Sequence, residues 1–187
     1  ISENNEYLEN QILTTWGTKE NYLLILGKKL MYLKDLGKDK LTTLDLFSGS
    51  GIVARYLKQY SDCIYANDLE EYSKLINECY LSNKSEFNEK IFDKLFVDLY
   101  TAIKNNPDHL KESDCIIRTN YSPKNDTDIQ VGERVFYTNA NALFIDFCRY
   151  YIDKVIPADY RKYFLAQLLI EASVHVNTSG VFKGFYK

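Results

Sequence analysis

The sequence is poor in the features that would place it in several large protein classes. It has no uncharged apolar run long enough for a bilayer-crossing helix and no secretory leader pattern, so no membrane association is expected. Its four cysteines, Cys63, Cys79, Cys115 and Cys148, lie far apart, with no C-x-x-C and no nearby histidine pair. That spacing suggests neither a zinc site nor a disulfide framework; reduced thiols in a cytoplasmic protein are the plain expectation, with no metal. The two histidines, His109 and His175, have no partner at ligating or catalytic spacing. Positive charge is not in excess either. A formal net charge of -3 gives no global field for nucleic acid, so any DNA contact requires a local patch such as residues 183–187.

What is present reads as an ordinary globular chain. With 187 residues, 45% hydrophobic and 26% charged, it has the length for one domain, or one plus part of another, and can bury a real core. The chain starts on Ile1 and ends on the aromatic run "GVFKGFYK", from which we expect a fragment of a longer protein.

Periodicity predicts helices over residues 3–13 and 19–36, the latter with Tyr22, Leu23, Leu26, Leu30 and Leu33 on one face and Gly37 as its stop. A buried strand over 41–47 leads through glycines into a helix over 52–60. A second strand over 63–68, "CIYAND", leads into a helix over 69–81 with Tyr72, Leu75, Ile76 and Cys79 inward. Strand, helix, strand, helix at this spacing opens a parallel α/β sheet. Beyond residue 83 the pattern turns helical, over 86–105, 141–156 and 158–173. These helices flank the polar, loop-like stretch "RTNYSPKNDTDIQVGER", and "VHVNTSGVFKGFY" reads as a closing hairpin turning on "TSG". The expected organisation is therefore residues 1–83 and 84–187.

"LDLFSGSGIVARYL" carries the chemistry. Gly49, Gly51 and Ala54 satisfy G-x-G-x-x-(G/A), and Asp68 stands about where a ribose-binding acid is expected. Asp45 separates the candidate ligands. A carboxylate at the strand end adds negative charge beside a pyrophosphate, which is the wrong sign, but suits a ligand with cationic groups and no phosphate, such as S-adenosylmethionine. Asp68 can accept hydrogen bonds from both ribose hydroxyls. The plainer reading is that Asp45 caps the turn and Asp68 the following helix.

With these motifs the sequence resembles the Dam-like (D12 class) adenine-N6-specific DNA methyltransferases. "DLFSGSG" (45–51) and "NDLE" (67–70) look like their first two motifs, and "TTWGTK" (14–19) like their N-terminal motif. "ERVFYTNANALFIDFCRYYID" (133–153) and "ASVHVNTSGVFKGFYK" (172–187) resemble their helical recognition region and its hairpin. The resemblance implies a partial Rossmann-like S-adenosylmethionine-dependent methyltransferase core carrying a mostly helical DNA-recognition insertion. It implies cofactor contacts from Trp16, Gly17, Lys19, Asp45, Phe47, Gly49, Gly51, Asp68 and Leu69, and contacts to double-stranded DNA from Asn177, Thr178, Ser179, Gly180, Phe182 and Lys183. A cognate restriction endonuclease would be a partner in such a system.

Two departures from the family pattern matter. Trp16 sits one residue later than the family's aromatic, where Thr15 stands here, so cofactor contact and core packing both remain open for it. The family's D-P-P-Y type tetrapeptide, which accepts from the adenine amino group and stacks on the extruded base, is missing: Pro107, Pro123 and Pro157 are never adjacent. No catalytic residue is therefore assigned, and the chain alone should be inactive. Two other readings stand beside this one: a nicotinamide-dependent oxidoreductase using the same glycine loop, and a non-catalytic DNA-binding or specificity partner.

Overall fold

The computed structural model describes residues 7–8, 20–37, 41–105 and 110–178. The chain divides into two compact units, Ile1–Asn83 and Lys84–Lys187.

The first unit is built on α1 (Glu20–Asp35), β1 (Leu41–Asp45), α2 (Ile52–Leu57), β2 (Ser61–Ala66) and α3 (Glu71–Tyr80). β1 and β2 pair in parallel, with Leu44 opposite Tyr65 and Asp45 opposite Ala66, so the two chains leave the sheet side by side at the same end. Among the described residues these are the two sheet-forming strands, and helix dominates the rest. Leu23 and Leu30 of α1 pack with Ile52, Tyr56 and Leu57 of α2, joined by the half-buried Leu26, Leu41 and Ile64. The expected apolar face of α1 is thus narrower than periodicity suggested: Tyr22 and Leu33 are exposed, because the stripe that meets α2 runs through positions 23, 26 and 30. Gly27 belongs to that stripe, and a Cβ there would strike the Tyr56 hydroxyl.

Both strands differ by about two residues from the periodicity. β1 stops at Asp45 instead of 47 because the main chain then turns to donate from Asn67 N to Asp45 O (2.8 Å), which closes the ladder. β2 starts at Ser61, whose hydroxyl meets that of Thr43 at 2.8 Å.

Arg55 of α2 is almost completely buried. Its guanidinium lies 5.7 Å from the Tyr7 ring and 5.8 Å from the Tyr80 ring and donates to the Tyr7 carbonyl. Burial pushes its pKa down while the two phenols oppose that shift. Lys58, one turn on, donates to the Tyr7 hydroxyl at 3.3 Å.

The second unit holds α4 (Glu89–Asn105), α5 (Ile116–Tyr121), α6 (Asn139–Lys154) and α7 (Ala158–Val174). Its larger core joins Leu99, Ile152, Ile156 and Phe164; a smaller one joins Phe136, Tyr137 and Ala142 with Ile117, Tyr121 and Val176. α6 begins earlier than its apolar pattern because Thr138 caps it, accepting from Asn141 N at 3.1 Å. The fully buried Asp146 of α6 accepts from Ile117 N (3.0 Å) and Arg118 N (2.8 Å), so the first turn of α5 is capped from another helix. That cap makes helix of 116–121, and hence of the start of the stretch read as loop. The stretch expected to open the closing hairpin begins as helix, and the rest of that hairpin, residues 179–186, lies outside the described residues. α7 continues through an exposed Val174, with His175 N bonded to Glu171 O at 3.0 Å, where extended structure was expected.

Cys63 is exposed and Cys148 buried, and burial pushes the Cys148 thiol up to about 12. At pH 8 a thiol-alkylating reagent should modify Cys63 in the folded protein and leave Cys148 intact until denaturant is added. Peptide mass spectrometry reads this directly, and native-state alkylation of Cys148 would contradict the packing of α6.

Candidate functional site

The turn after β1 adopts a conformation that few sequences allow. Gly49 has φ 52° and Gly51 φ 75°, both in the left-handed region. The two glycines serve different purposes. A Cβ on Gly51 would lie 2.6 Å from Asn77 Oδ1, so this position is empty because α3 fills the space. A Cβ on Gly49 would meet nothing within 4 Å, so here the backbone faces open space.

A buried polar cluster holds the turn from below. Asn77 Nδ2 donates to Ser48 Oγ (3.1 Å) and to Ser73 O (2.8 Å), and Ser73 Oγ donates to Gly49 O (2.6 Å). Ser48, Ser73 and Asn77 are all buried. Above, Ser48 N donates to Asn67 O (2.9 Å), and Asn67 Nδ2 to Leu46 O (3.0 Å), which sews the ends of the two strands together. The sequence reading missed Ser73 and Asn77. Their signal was available: they sit four residues apart on the face of α3 that buries Ile76, where an unpartnered polar pair would be costly.

Asp68 bridges the turn and α3. Its Oδ2 accepts from Gly49 N at 2.8 Å and its Oδ1 from Glu70 N at 3.1 Å. The carboxylate thus ties the glycine turn to Glu70, the residue before α3, without capping the helix itself. The Tyr72 phenol is pushed up, first by burial and then by the charges of Asp68 and Glu70, a sign of negative potential at this end of the sheet.

The pairing of β1 with β2 thus gathers Asp45, Phe47, Gly49, Gly51, Asp68 and Leu69 at adjoining strand ends. Asp45 is half-buried; Phe47 is 79% and Leu69 95% exposed, unusual values for such large apolar side chains. Two carboxylates, two apolar faces and an open glycine suit a ligand with cationic and flat apolar parts, and repel a polyphosphate. Trp16, Gly17 and Lys19 lie outside the described residues.

Of the residues expected to meet DNA, Asn177 and Thr178 are described and belong to the second unit; Ser179, Gly180, Phe182 and Lys183 lie outside the described residues. Asn177 is pinned at its backbone, N donating to Phe136 O (2.8 Å), and at its side chain, Nδ2 donating to Val135 O (2.9 Å). Among the described residues no group of three His, Cys, Asp or Glu could hold a metal ion, and no helix is long and apolar enough to cross a membrane.

Residues 28–187 match the family model of the D12 class N6 adenine-specific DNA methyltransferases. Neither the search of curated proteins nor that of solved structures returned a match.

The unequal surroundings of the two glycines have a measurable consequence. Gly49→Ala should cost about 1–2 kcal/mol of stability, the ordinary penalty for a left-handed residue bearing a side chain. Gly51→Ala should cost about 2–4 kcal/mol, since the clash with Asn77 adds to it. Urea unfolding of both variants checks this, and equal losses would refute the assignment of α3 as the neighbour of Gly51.

Proposed function

The chain belongs to the D12 class of N6 adenine-specific DNA methyltransferases, and from that premise we propose that its first unit binds S-adenosylmethionine for methylation of adenine N6 in double-stranded DNA. The observation that carries this reading is the placement of Asp45 and Asp68 at neighbouring ends of parallel strands, with the open side of Gly49 between them in sequence. Asp45 would attract the cationic amino-acid end of the cofactor. Asp68 would accept from the ribose hydroxyls, while it holds Gly49 and Glu70 in place. Phe47 and Leu69 would flank the cofactor's adenine.

The bound cofactor supplies a methyl group made electrophilic by its sulfonium. The chain's own task in the first unit is then to bind and orient it, since alignment of donor and acceptor accounts for much of such a rate enhancement. In the second unit, residues 177–183 would approach the DNA, as the family resemblance implies.

A partial Rossmann-like core is part of the same proposal. Leu44 and Tyr65 stand opposite one another on an exposed sheet face, whereas parallel sheets are ordinarily covered on both faces. Further strands and helices would complete the sheet, and the pocket for the methyl acceptor would come with them. The reading places the intact enzyme in the cytoplasm, in a restriction-modification system. A non-catalytic DNA-binding partner is the other reading.

Titration calorimetry of the full-length protein with S-adenosylhomocysteine tests the cofactor site. Asp45→Ala and Asp68→Ala should each weaken binding by roughly ten- to a hundredfold, the loss expected on removing a charged acceptor; unchanged affinity in both would remove the assignment. A (D/N/S)-P-P-(Y/F/W) tetrapeptide encoded soon after Lys187 supports the enzyme. A stop codon there supports the partner.

A further inference from the structure

Asp68 is held by main-chain donors that are themselves held. Its two oxygens accept from Gly49 N (2.8 Å) and Glu70 N (3.1 Å), which fixes the plane of the carboxylate and its distance from the glycine turn. Gly49 is gripped at its carbonyl as well: Ser73 Oγ donates to Gly49 O at 2.6 Å, and Asn77 Nδ2 approaches the same oxygen at 3.4 Å. One residue before Asp68, Asn67 O accepts from Ser48 N (2.9 Å) and from Ser48 Oγ (3.2 Å). Both routes to Asp68 start at Asn77, whose Nδ2 donates to Ser48 Oγ (3.1 Å) and to Ser73 O (2.8 Å).

These side chains act from where no ligand reaches them. Ser48 is 1%, Ser73 0% and Asn77 7% exposed. The main chain of the turn is similarly committed, since Ser48 N donates to Asn67 O, Gly49 N to Asp68 and Gly51 N to Ser48 O. Gly49 presents a ligand with its Cα, where a Cβ would meet nothing within 4 Å.

Stability alone does not account for this arrangement. Asn77 Oδ1 is buried with no hydrogen-bond partner among the described residues, and it lies against Gly51, where a Cβ would come within 2.6 Å of it. A buried carboxamide oxygen without a donor is unfavourable, and an apolar side chain at this position would avoid that cost. What the polar cluster supplies is direction: its hydrogen bonds admit one orientation of the turn, whereas apolar packing admits several.

We propose that Ser73 and Asn77 are positioning residues for the cofactor, fixing the Gly49 turn, and through it the Asp68 carboxylate, in the orientation that the ribose hydroxyls require. This role rests on the reading that Asp68 accepts from those hydroxyls. A carboxylate oriented before the ligand arrives lowers the ordering cost of binding, so the cluster contributes to affinity as well as to stability.

Titration calorimetry of the full-length protein with S-adenosylhomocysteine, run as a double-mutant cycle between Ser73→Ala and Asp68→Ala, separates this role from a structural one. Ser73→Ala deletes one hydroxyl and should weaken binding roughly three- to tenfold, the fold-change carried by one hydrogen bond. In the Asp68→Ala background the same substitution should change affinity by less than about twofold, since the carboxylate it acts through is gone. Urea unfolding establishes that each variant is folded under the conditions of the titration. Should Ser73→Ala not fold, Ser48→Ala breaks the network at its other hydroxyl and takes the same place in the cycle. A loss of equal size in both backgrounds would overturn the positioning role, and so would unchanged affinity in Ser73→Ala beside a loss in Asp68→Ala. Unchanged affinity in Asp68→Ala would remove Asp68 from the cofactor site, and the positioning role with it.

Discussion

The first unit depends on one carboxamide placed in an apolar setting. Asn77 sits on the buried face of α3, and it reaches through Ser48 and Ser73 to the underside of the glycine turn. Burying three polar side chains is unfavourable unless they bond one another, so the cluster has few alternatives to the arrangement observed. That requirement fixes where the turn lies on α3. It also dictates a glycine at 51 and leaves 49 facing outward. The position of Asp68 follows, since its carboxylate caps the backbone that the cluster holds.

The second unit uses the same device in other hands. Asp146 caps a helix it does not belong to, Asn139 gathers the loop that precedes it, and Asn177 secures the chain leaving α7. In each case a short polar side chain replaces the regular hydrogen bonding that an irregular main chain lacks. Such bonds reach only a short distance, which is why several separate stretches of sequence meet around Phe136 and Tyr137.

Much of the local structure was legible in the sequence. The alternation at 41–45, the two glycines and the acids at 45 and 68 are a short-range pattern, and they predicted strand, turn and helix in the right order. What escaped the reading depends on partners remote in sequence. The strand ends are set by the pairing of Asp45 with Ala66, and periodicity carries no information on register. Tyr22 is an apolar residue one step off the packed stripe of α1. Asn177, expected to contact DNA, has its amide donating to Val135, a carbonyl 42 positions away, and nothing in "VNTSG" announces that acceptor. Ser73 and Asn77 share the face of Ile76, but the acceptors they meet, Gly49 and Ser48, are 24 and 29 residues away in sequence.

Arg55 couples parts of the first unit that lie far apart in sequence. A guanidinium keeps its proton at any ordinary pH, so it cannot enter the interior neutral and acquire partners later. The Tyr7 carbonyl and the rings of Tyr7 and Tyr80 must be in position as the site closes over it. Placement of Tyr7 and the packing of α2 against α3 are thus energetically coupled, because the charge is costly to bury until all of its partners are present.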